Sequence, residues 1–460
     1  MSVREGKHRK QIHLAAHFPG VNNTTVWADP TAGSQIDFAS FVHLTRTAEK
    51  GLFDFVFLAE GLRLREHRGK IHDLDVVGRP DTFTVLAALA AVTERLGLAG
   101  TINTTFNEPY EVARQFATLD HLSDGRAAWN MVTSSDAFTG ANFRRGGFLD
   151  HADRYKRAEE FIAVARKFWD SWLPDAVVAD VDAGIYVDPS RIFMVEHHGP
   201  QFNVRGVASL PAGPQGHPIL LQAGDSSEGR DFGAKHADAL FTLHGTLEDG
   251  QRYYTDVKRR AAAHGRDPHK LKVFPGATFA LGHTPDEARD HAGHIREQQV
   301  SGATAIAFLE QVWGRDLSAY DPDGPLPEVE PAENPDITRG RVRHGDPRAV
   351  AETWRARAQA ENLSIRQLII EVTGRQQFVG TPAHVADEID RYVQSDACDG
   401  FILVPHLTPH GLDEFVDKVV PLLQERGTFR TEYRSHTLRE HLGLVPMPGR
   451  RHVAAATGEL

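Results

Sequence analysis

Ile219-Leu-Leu-Gln-Ala-Gly-Asp-Ser-Ser-Glu-Gly-Arg230 is the stretch on which the fold turns. It begins as a short apolar run, the pattern of a strand buried on both faces. It turns at Ala223-Gly224 and enters a helix through Asp225-Ser226-Ser227. Asp225 and Glu228 stand at capping-box spacing, which predicts Asp225 as the residue that caps this helix. The first N–H groups of a helix have no intrahelical partner, and two hydroxyls beside them complete a site suited to a phosphate. An ordinary strand–helix turn with a good cap gives the same pattern. The rest of the chain decides between the two.

Working outward, the same strand–turn–helix unit repeats. Upstream, Gln11–Phe18, Phe53–Ala59, Leu98–Thr105 and Arg126–Thr133 read as strands one to four. The opening stretch is strand five. Ala239–Leu243, Leu271–Leu281 and Gly400–Pro405 are strands six to eight. Helical spacing lies between them, at Phe38, Phe41, Leu44 and Ala48, at Val85, Leu89, Val92 and Leu96, and at Val112, Phe116 and Leu119. A long helix, Ala152–Trp172, turns Phe161, Val164, Ala165 and Phe168 inward, and Leu412–Leu423 closes the series. Eight alternations with apolar strands predict an α/β fold, a (β/α)8 TIM barrel whose active face lies at the strand C-termini. A doubly wound open sheet is the alternative, but no Gly-x-Gly-x-x-Gly follows strand one. Two segments break the alternation, at about 173–218 (after the fourth helix) and about 283–377 (after strand seven). The first holds a hairpin strand at Phe202–Gly206. The second is helical at first, then proline-rich and acidic at Asp321–Pro331, as lids and binding loops often are. The expected organisation is one barrel domain, 1–446, with a mobile tail, 447–460.

Bulk properties exclude other classes. The net charge of −11 and the lack of a Lys/Arg block argue against nucleic acid as a partner. Cys398 is the sole cysteine, so no internal disulfide and no cysteine-built zinc site can form; no metal site is read, and the reducing cytoplasm is the expected compartment. No apolar run reaches membrane-spanning length, so no membrane association is expected.

On a barrel the polar strand ends converge. They are His17 on strand one, Ala59-Glu60 on strand two, Thr104-Thr105 on strand three, Asn130 to Ser135 on strand four, and Gln222 to Ser227 on strand five. His151, Arg154 and Tyr155 start the next helix. Small hydroxyls and amides suit a planar heterocycle, and the Ser226/Ser227 helix start suits its phosphate. Phosphate sites in such barrels more often follow strands seven and eight, so a site after strand five departs from the usual plan. His13 shares the face of Ala15 and His17 by alternation. Trp27, Phe106 and Arg144 are candidates for the substrate pocket. Trp27 and Phe106 suit core packing equally, and Arg144 with Arg145 suits either an anion clamp or a solvated loop. The group Arg63, Arg65, His67 and His72 reads more simply as surface charge, and Cys398 as structural.

Longer motifs carry a resemblance. They are Asn22-Asn-Thr-Thr-Val-Trp27, Phe57-Leu-Ala-Glu60, Ala127-Ala-Trp-Asn-Met-Val-Thr-Ser134, Arg154-Tyr-Lys-Arg-Ala-Glu-Glu-Phe161 and the ending Asp399-Gly-Phe401 through Phe429-Arg-Thr-Glu-Tyr433. In this order, over about residues 10–445, the chain resembles the nitrilotriacetate, dibenzothiophene-sulfone and dimethylsulfide monooxygenases of the bacterial luciferase-like flavin enzymes. The resemblance implies a TIM barrel that uses reduced FMN (FMNH2) and O2, with a separate NAD(P)H:flavin reductase as partner. It implies a small heteroatom-containing substrate oxidised, often with C–N or C–S cleavage. Carried over, it puts Ala59, Glu60, Thr104 and Thr105 along the flavin ring. Asn130, Val132 and Thr133 lie beside it, His151 and Tyr155 reach it from the following helix, and Gly224, Ser226 and Ser227 hold its phosphate. Glu60 stands where Asp is common in the wider group. His17 is the candidate catalytic residue, for positioning or proton transfer. By analogy the assembly is a homodimer or homotetramer. A deazaflavin-dependent oxidoreductase, a non-catalytic flavin-binding protein and a phosphosugar isomerase or lyase are the alternatives on the same barrel.

Overall fold

Eight short apolar strands close on themselves: β1 (His13–His17), β2 (Phe55–Leu58), β3 (Gly97–Asn103), β4 (Ala127–Val132), β5 (Ile219–Ala223), β6 (Ala239–Thr242), β7 (Lys272–Leu281) and β8 (Gly400–Leu403). Each pairs in parallel with the next, and β8 pairs with β1, so the ring has no gap. This computed structural model describes residues 9–20, 25–62, 64, 66–67, 70–71, 79–133, 142–143, 151–332, 346–373 and 376–445. The expected TIM barrel is what the chain forms. At the β8–β1 seam the strands approach so closely that a Cβ on Gly400 would lie 1.9 Å from the His13 carbonyl oxygen. Only glycine allows that contact.

The strands are apolar throughout because both faces are covered. Ala15, Phe55, Phe57, Ala99, Ala128, Ile219, Leu221, Ala239, Phe274 and Ile402 fill the barrel. The alternate residues, among them Leu14, Val56, Leu98, Trp129 and Leu220, pack outward against helices. Those helices are α1 (Phe38–Lys50), α2 (Thr82–Ala90), α3 (Pro109–Leu122), α4 (His151–Trp169), α5 (Ser227–His236) and α6 (Leu247–Ala263). Strand ends are trimmed relative to the sequence pattern where side chains capture the backbone. β3 stops at Asn103 because its Oδ1 accepts the Phe106 N–H at 2.7 Å.

The floor of the barrel is built by the C-terminal segment. Leu438, Leu442 and Leu444 join the interior core, behind a capping box between Thr437 and Glu440. Asp54 is fully buried there and accepts from His13 Nδ1 at 3.1 Å, from the Leu14 N–H at 2.9 Å and from Arg430. Burial pushes its carboxyl up, but Arg430 and His13 hold it well below the usual carboxylate range. The Tyr433 hydroxyl donates to the Phe53 carbonyl at 2.6 Å. The Phe429–Tyr433 motif is thus architecture, on the face away from the strand C-termini. Cys398 is buried, and burial pushes its thiol well above the ordinary range, as a structural cysteine requires.

The segment at 173–218 carries two antiparallel ribbons, Val177–Asp180 with Ile185–Val187 and Val195–His198 with Asn203–Gly206. After β7 come α7 (Pro285–Gln299), α8 (Gly302–Trp313), α9 (Pro347–Glu361), α10 (Ile365–Thr373) and, beyond a strand at Gln376–Gly380, α11 (Pro382–Gln394). That strand pairs in parallel with the outer half of β7, Phe279 against Phe378 and Leu281 against Gly380. It is short and half polar, so periodicity does not reveal it. Around Trp313 this segment has a core of its own, with Val300, Leu309, Ile365 and Ile369. The proline-rich stretch is fastened to it. Trp313 Nε1 donates to the Val329 carbonyl at 2.8 Å, and Arg355 donates to the carbonyls of Pro327, Glu328 and Val329. After β8 the single closing helix expected from the sequence is two, α12 (Asp413–Lys418) and α13 (Val420–Glu425), with Pro421 unable to donate across the break. Among the described residues no helix is long and apolar enough to cross a membrane. The segment 447–460 and the residues Arg63, Arg65 and His72 lie outside those described.

Candidate functional site

The upper layer of the barrel interior is polar where the lower layers are apolar. His17 ends β1 and is buried, its ring 5.5 Å from that of Phe57, which stacks in turn on Phe241 at 5.9 Å. On β4, Asn130 is buried with its Nδ2 donating to Thr101 Oγ1 at 3.0 Å. Its Oδ1 is buried with no hydrogen-bond partner among the described residues. A buried amide oxygen left in that state calls for a donor that the described residues do not supply.

Glu60 lies half-buried beyond β2. Asn103, fully buried on β3, donates its Nδ2 to both carboxylate oxygens at 3.0 and 3.2 Å. Burial outweighs those bonds and raises the Glu60 carboxyl to about 7. Ala59 beside it is half-buried and lines a shallow groove with Phe18, Gly20, Leu58 and Arg79. Thr104 and Thr105 are buried. The Thr104 N–H donates to the Val132 carbonyl at 3.0 Å, and the Thr104 carbonyl accepts from Arg157 Nε at 3.0 Å. Val132 and Thr133 are half-buried, and Arg154 Nη1 donates to the Thr133 carbonyl at 3.4 Å.

A second group gathers where β5 runs into α5. The helix is capped by Ser226, whose Oγ accepts the Gly229 N–H at 3.1 Å. This corrects the Asp225 cap expected from the sequence. Arg230 holds Asp225 instead, through its carbonyl at 3.1 Å and its carboxylate at 3.5 Å. Ser227 opens the helix, exposed, with Arg260 Nη2 donating to its Oγ at 3.3 Å. Tyr155 comes across from α4, its ring 5.7 Å from Phe232 of α5. Its hydroxyl stands over two glycines. A Cβ on Gly229 would lie 2.8 Å from that hydroxyl and 3.0 Å from Gly224 Cα. The glycines thus leave a cradle, with first-turn N–H groups and two arginines nearby, that fits a phosphate dianion.

The structure therefore brings His17, Glu60, Thr104, Thr105 and Asn130 to one rim, and Tyr155, Gly224, Ser226 and Ser227 to another part of the same rim. Trp27 is 61% exposed, which excludes the core-packing alternative for it. Phe106 is half-buried and stacks on Phe143 at 4.7 Å. Arg144 lies outside the described residues, and so does the side chain of His151, whose backbone begins α4. Sequence reasoning missed Asn103, Arg260 and the role of Arg157. Arg157 sits inside a quoted motif, but nothing in the pattern says it is buried and ties Thr104 to Asn107.

Comparison with known proteins agrees with this architecture. The profile of the family described as "Luciferase-like monooxygenase" matches residues 19–397. N-acetyl-S-(2-succino)cysteine monooxygenase of Bacillus subtilis (strain 168) is 40% identical over 95% of this chain and 97% of its own length. Nitrilotriacetate monooxygenase component A of Aminobacter aminovorans is 40% identical over 91% of this chain and 93% of its own. Among solved structures, DmoA from Hyphomicrobium sulfonivorans superposes with a TM-score of 0.79 at 30% identity, covering 94% of this chain and 92% of that one.

Proposed function

We propose a function on a premise the comparisons establish: the chain belongs to the luciferase-like monooxygenase family. It is a flavin-dependent monooxygenase of the two-component kind, acting on a small organic substrate that contains nitrogen or sulfur. The finer reading is that it uses reduced FMN and O2, and that oxygen transfer leads to heteroatom oxidation or to C–N or C–S cleavage. Reduced FMN with O2 would supply the oxygen-transfer chemistry, and the protein binds, orients and shields it.

The cradle under the Tyr155 hydroxyl carries this reading. Tyr155, Gly224, Ser226 and Ser227 would hold the phosphate, with the α5 dipole and Arg260 favouring its charge. The Asn130 Oδ1 would accept from the ring system, which answers its missing donor. Ala59, Thr104, Thr105, Val132, Thr133 and His151 would line the rest. His17 would position the reacting group or move a proton, and Glu60, raised to about 7, can hold or release a proton near neutrality. Trp27, Phe106 and Arg144 are proposed for the substrate side. A relative named "component A" supports a separate partner, which we read as an NAD(P)H:flavin reductase. A homodimer or homotetramer is proposed by analogy with related barrels. One barrel domain, 1–446, and a cytoplasmic location complete the proposal.

The test is FMN binding with turnover. Tyr155→Phe combined with Ser227→Ala is expected to weaken FMN by at least ~1 kcal/mol, the scale of hydrogen bonds to a charged group. Unchanged affinity refutes the phosphate assignment. His17→Ala is expected to lower turnover more than binding, and an equal loss in both makes it structural. Oxygen incorporation into product with reduced FMN and 18O2, which the uncatalysed oxidation of free reduced FMN does not give, separates this reading from a deazaflavin-dependent oxidoreductase, which incorporates none. Product mass spectrometry across amine and sulfur compounds then identifies the substrate.

A further inference from the structure

Outside the barrel rim, two histidines and an aspartate point their ligand atoms at one spot. His43 lies on α1, His410 in the short turn His410–Leu412 after β8, and Asp413 at the start of α12. His43 Nε2 is 2.9 and 3.0 Å from the two Asp413 oxygens. His410 Nδ1 is 3.1 Å from His43 Nε2 and 3.2 Å from Asp413 Oδ2. Hydrogen bonds alone satisfy this arrangement poorly. His43 Nε2 faces two carboxylate oxygens and a second imidazole nitrogen but carries at most one proton. If both facing nitrogens are protonated, two N–H groups crowd the same space.

We propose that His43, His410 and Asp413 form a binding site for one divalent cation of the zinc, cobalt or nickel class. Three ligand atoms at these separations subtend roughly 94–103° at a cation held about 2.05 Å from each, between the tetrahedral and octahedral values. Two imidazoles and one carboxylate suit such borderline metals better than calcium or magnesium. Thr47, one helical turn from His43, donates its Oγ1 to Asp413 Oδ1 at 3.0 Å and orients the carboxylate. The three side chains are partly open to solvent, His43 and Asp413 at 37% and His410 at 52%, so a cation can enter and keep a water.

The site ties α1 to the turn after β8. That turn in turn holds the segment after β1, through Val26 N to His406 O at 2.7 Å and Gly33 N to Thr408 O at 2.6 Å. Bound metal therefore fastens the outside of the β8–β1 seam and takes no part in oxygenation.

The experiment titrates metal-stripped full-length protein with Zn2+, reading stoichiometry by equilibrium dialysis and elemental analysis, and melting temperature in parallel. One tight Zn2+ per chain is expected, with a rise in melting temperature. His410→Ala and, separately, His43→Gln are each expected to weaken that Zn2+ at least tenfold and to abolish the rise. Co2+ should give the intense visible bands of a low-coordinate site in the native protein and lose them in both variants. The chain has 25 histidines, so binding with equal affinity in the native protein and both variants overturns the assignment. So does the absence of any stoichiometric binding. His410 is exposed, and loss of fold in the His43 variant alone leaves the His410 comparison to decide.

Discussion

Replacing Glu60 by Gln tests the electrostatics of the rim in a way that activity cannot. The native carboxyl is raised to about 7 from an ordinary 4.5, first by burial, against the opposing bonds from Asn103. A raised carboxyl binds its proton more readily in the folded state than in the unfolded one. Stability from this group therefore falls as pH rises from about 4.5 to about 7, is lost in full above that, and is unaffected below. At 1.36 kcal/mol per unit the shift corresponds to roughly 3 kcal/mol as an upper bound. Glu60 is only half-buried, and solvent screening cuts the figure to roughly 1–2 kcal/mol. Glutamine keeps an oxygen for Asn103 and carries no charge, so Glu60→Gln is expected to be more stable than the native chain at pH 8 and equal to it at pH 4.5. For a chain of this length the gain is about 1–2 °C in melting temperature, within reach of scanning calorimetry run at closely spaced pH values on flavin-free protein. A difference that stays constant with pH, or that grows toward acid, refutes the claim that Glu60 is a desolvated carboxylate.

Two further outcomes follow from the same contacts. Gly229→Ala favours the α5 helix by about 1 kcal/mol in propensity but forces the Tyr155 hydroxyl aside. It is expected to lower FMN affinity while leaving the melting temperature within about a degree, measured by flavin fluorescence titration beside calorimetry. Arg430→Met removes the main counter-charge of buried Asp54 at the barrel floor and is expected to cost about 3–5 kcal/mol in urea unfolding. Much of that loss is expected to be regained in Arg430→Met with Asp54→Asn.

The barrel was legible because its rule is local. Eight apolar runs each followed by a helical stripe can be counted without knowing what touches what, and β1 to β8 all fall where that count puts them. The strand Gln376–Gly380 escaped the count because its reason to be a strand is the overhang of β7, a tertiary fact. The site divides in the same way. His17 and Asn130 could be named as polar residues at the ends of apolar strands. Asn103, equally a strand end, could not be assigned its role, because that depends on Glu60 arriving from the neighbouring strand. Arg157 stands in the Arg154–Phe161 motif, where nothing in the pattern marks it as buried. It is buried because the Thr104 and Asn107 carbonyls, left without sheet partners where β3 turns away, need donors from outside the sheet.

The proposed phosphate end after β5 has a reason in the way the other strand ends are used. The exit of β7 is taken up by its pairing with Gln376–Gly380 and by α7, which packs on both strands. The exit of β8 runs into the turn at 404–412, which is bonded to the segment after β1. Both ends that commonly bind phosphate in barrels are thereby committed to holding chain. The β5 exit has only Gly224, Asp225 and Ser226 between strand and helix, and the Tyr155 hydroxyl stands over Gly224 and Gly229 beside the first turn of α5. The two cations beside it, Arg230 and Arg260, are tied to Asp225, Asp231 and Asp256. Those ion pairs fix the guanidinium positions and offset part of their charge. Selectivity at this end must then come mainly from the helix N–H groups and the Tyr155 hydroxyl. That is why the sharpest variants for it, Tyr155→Phe and Gly229→Ala, leave every charge in place.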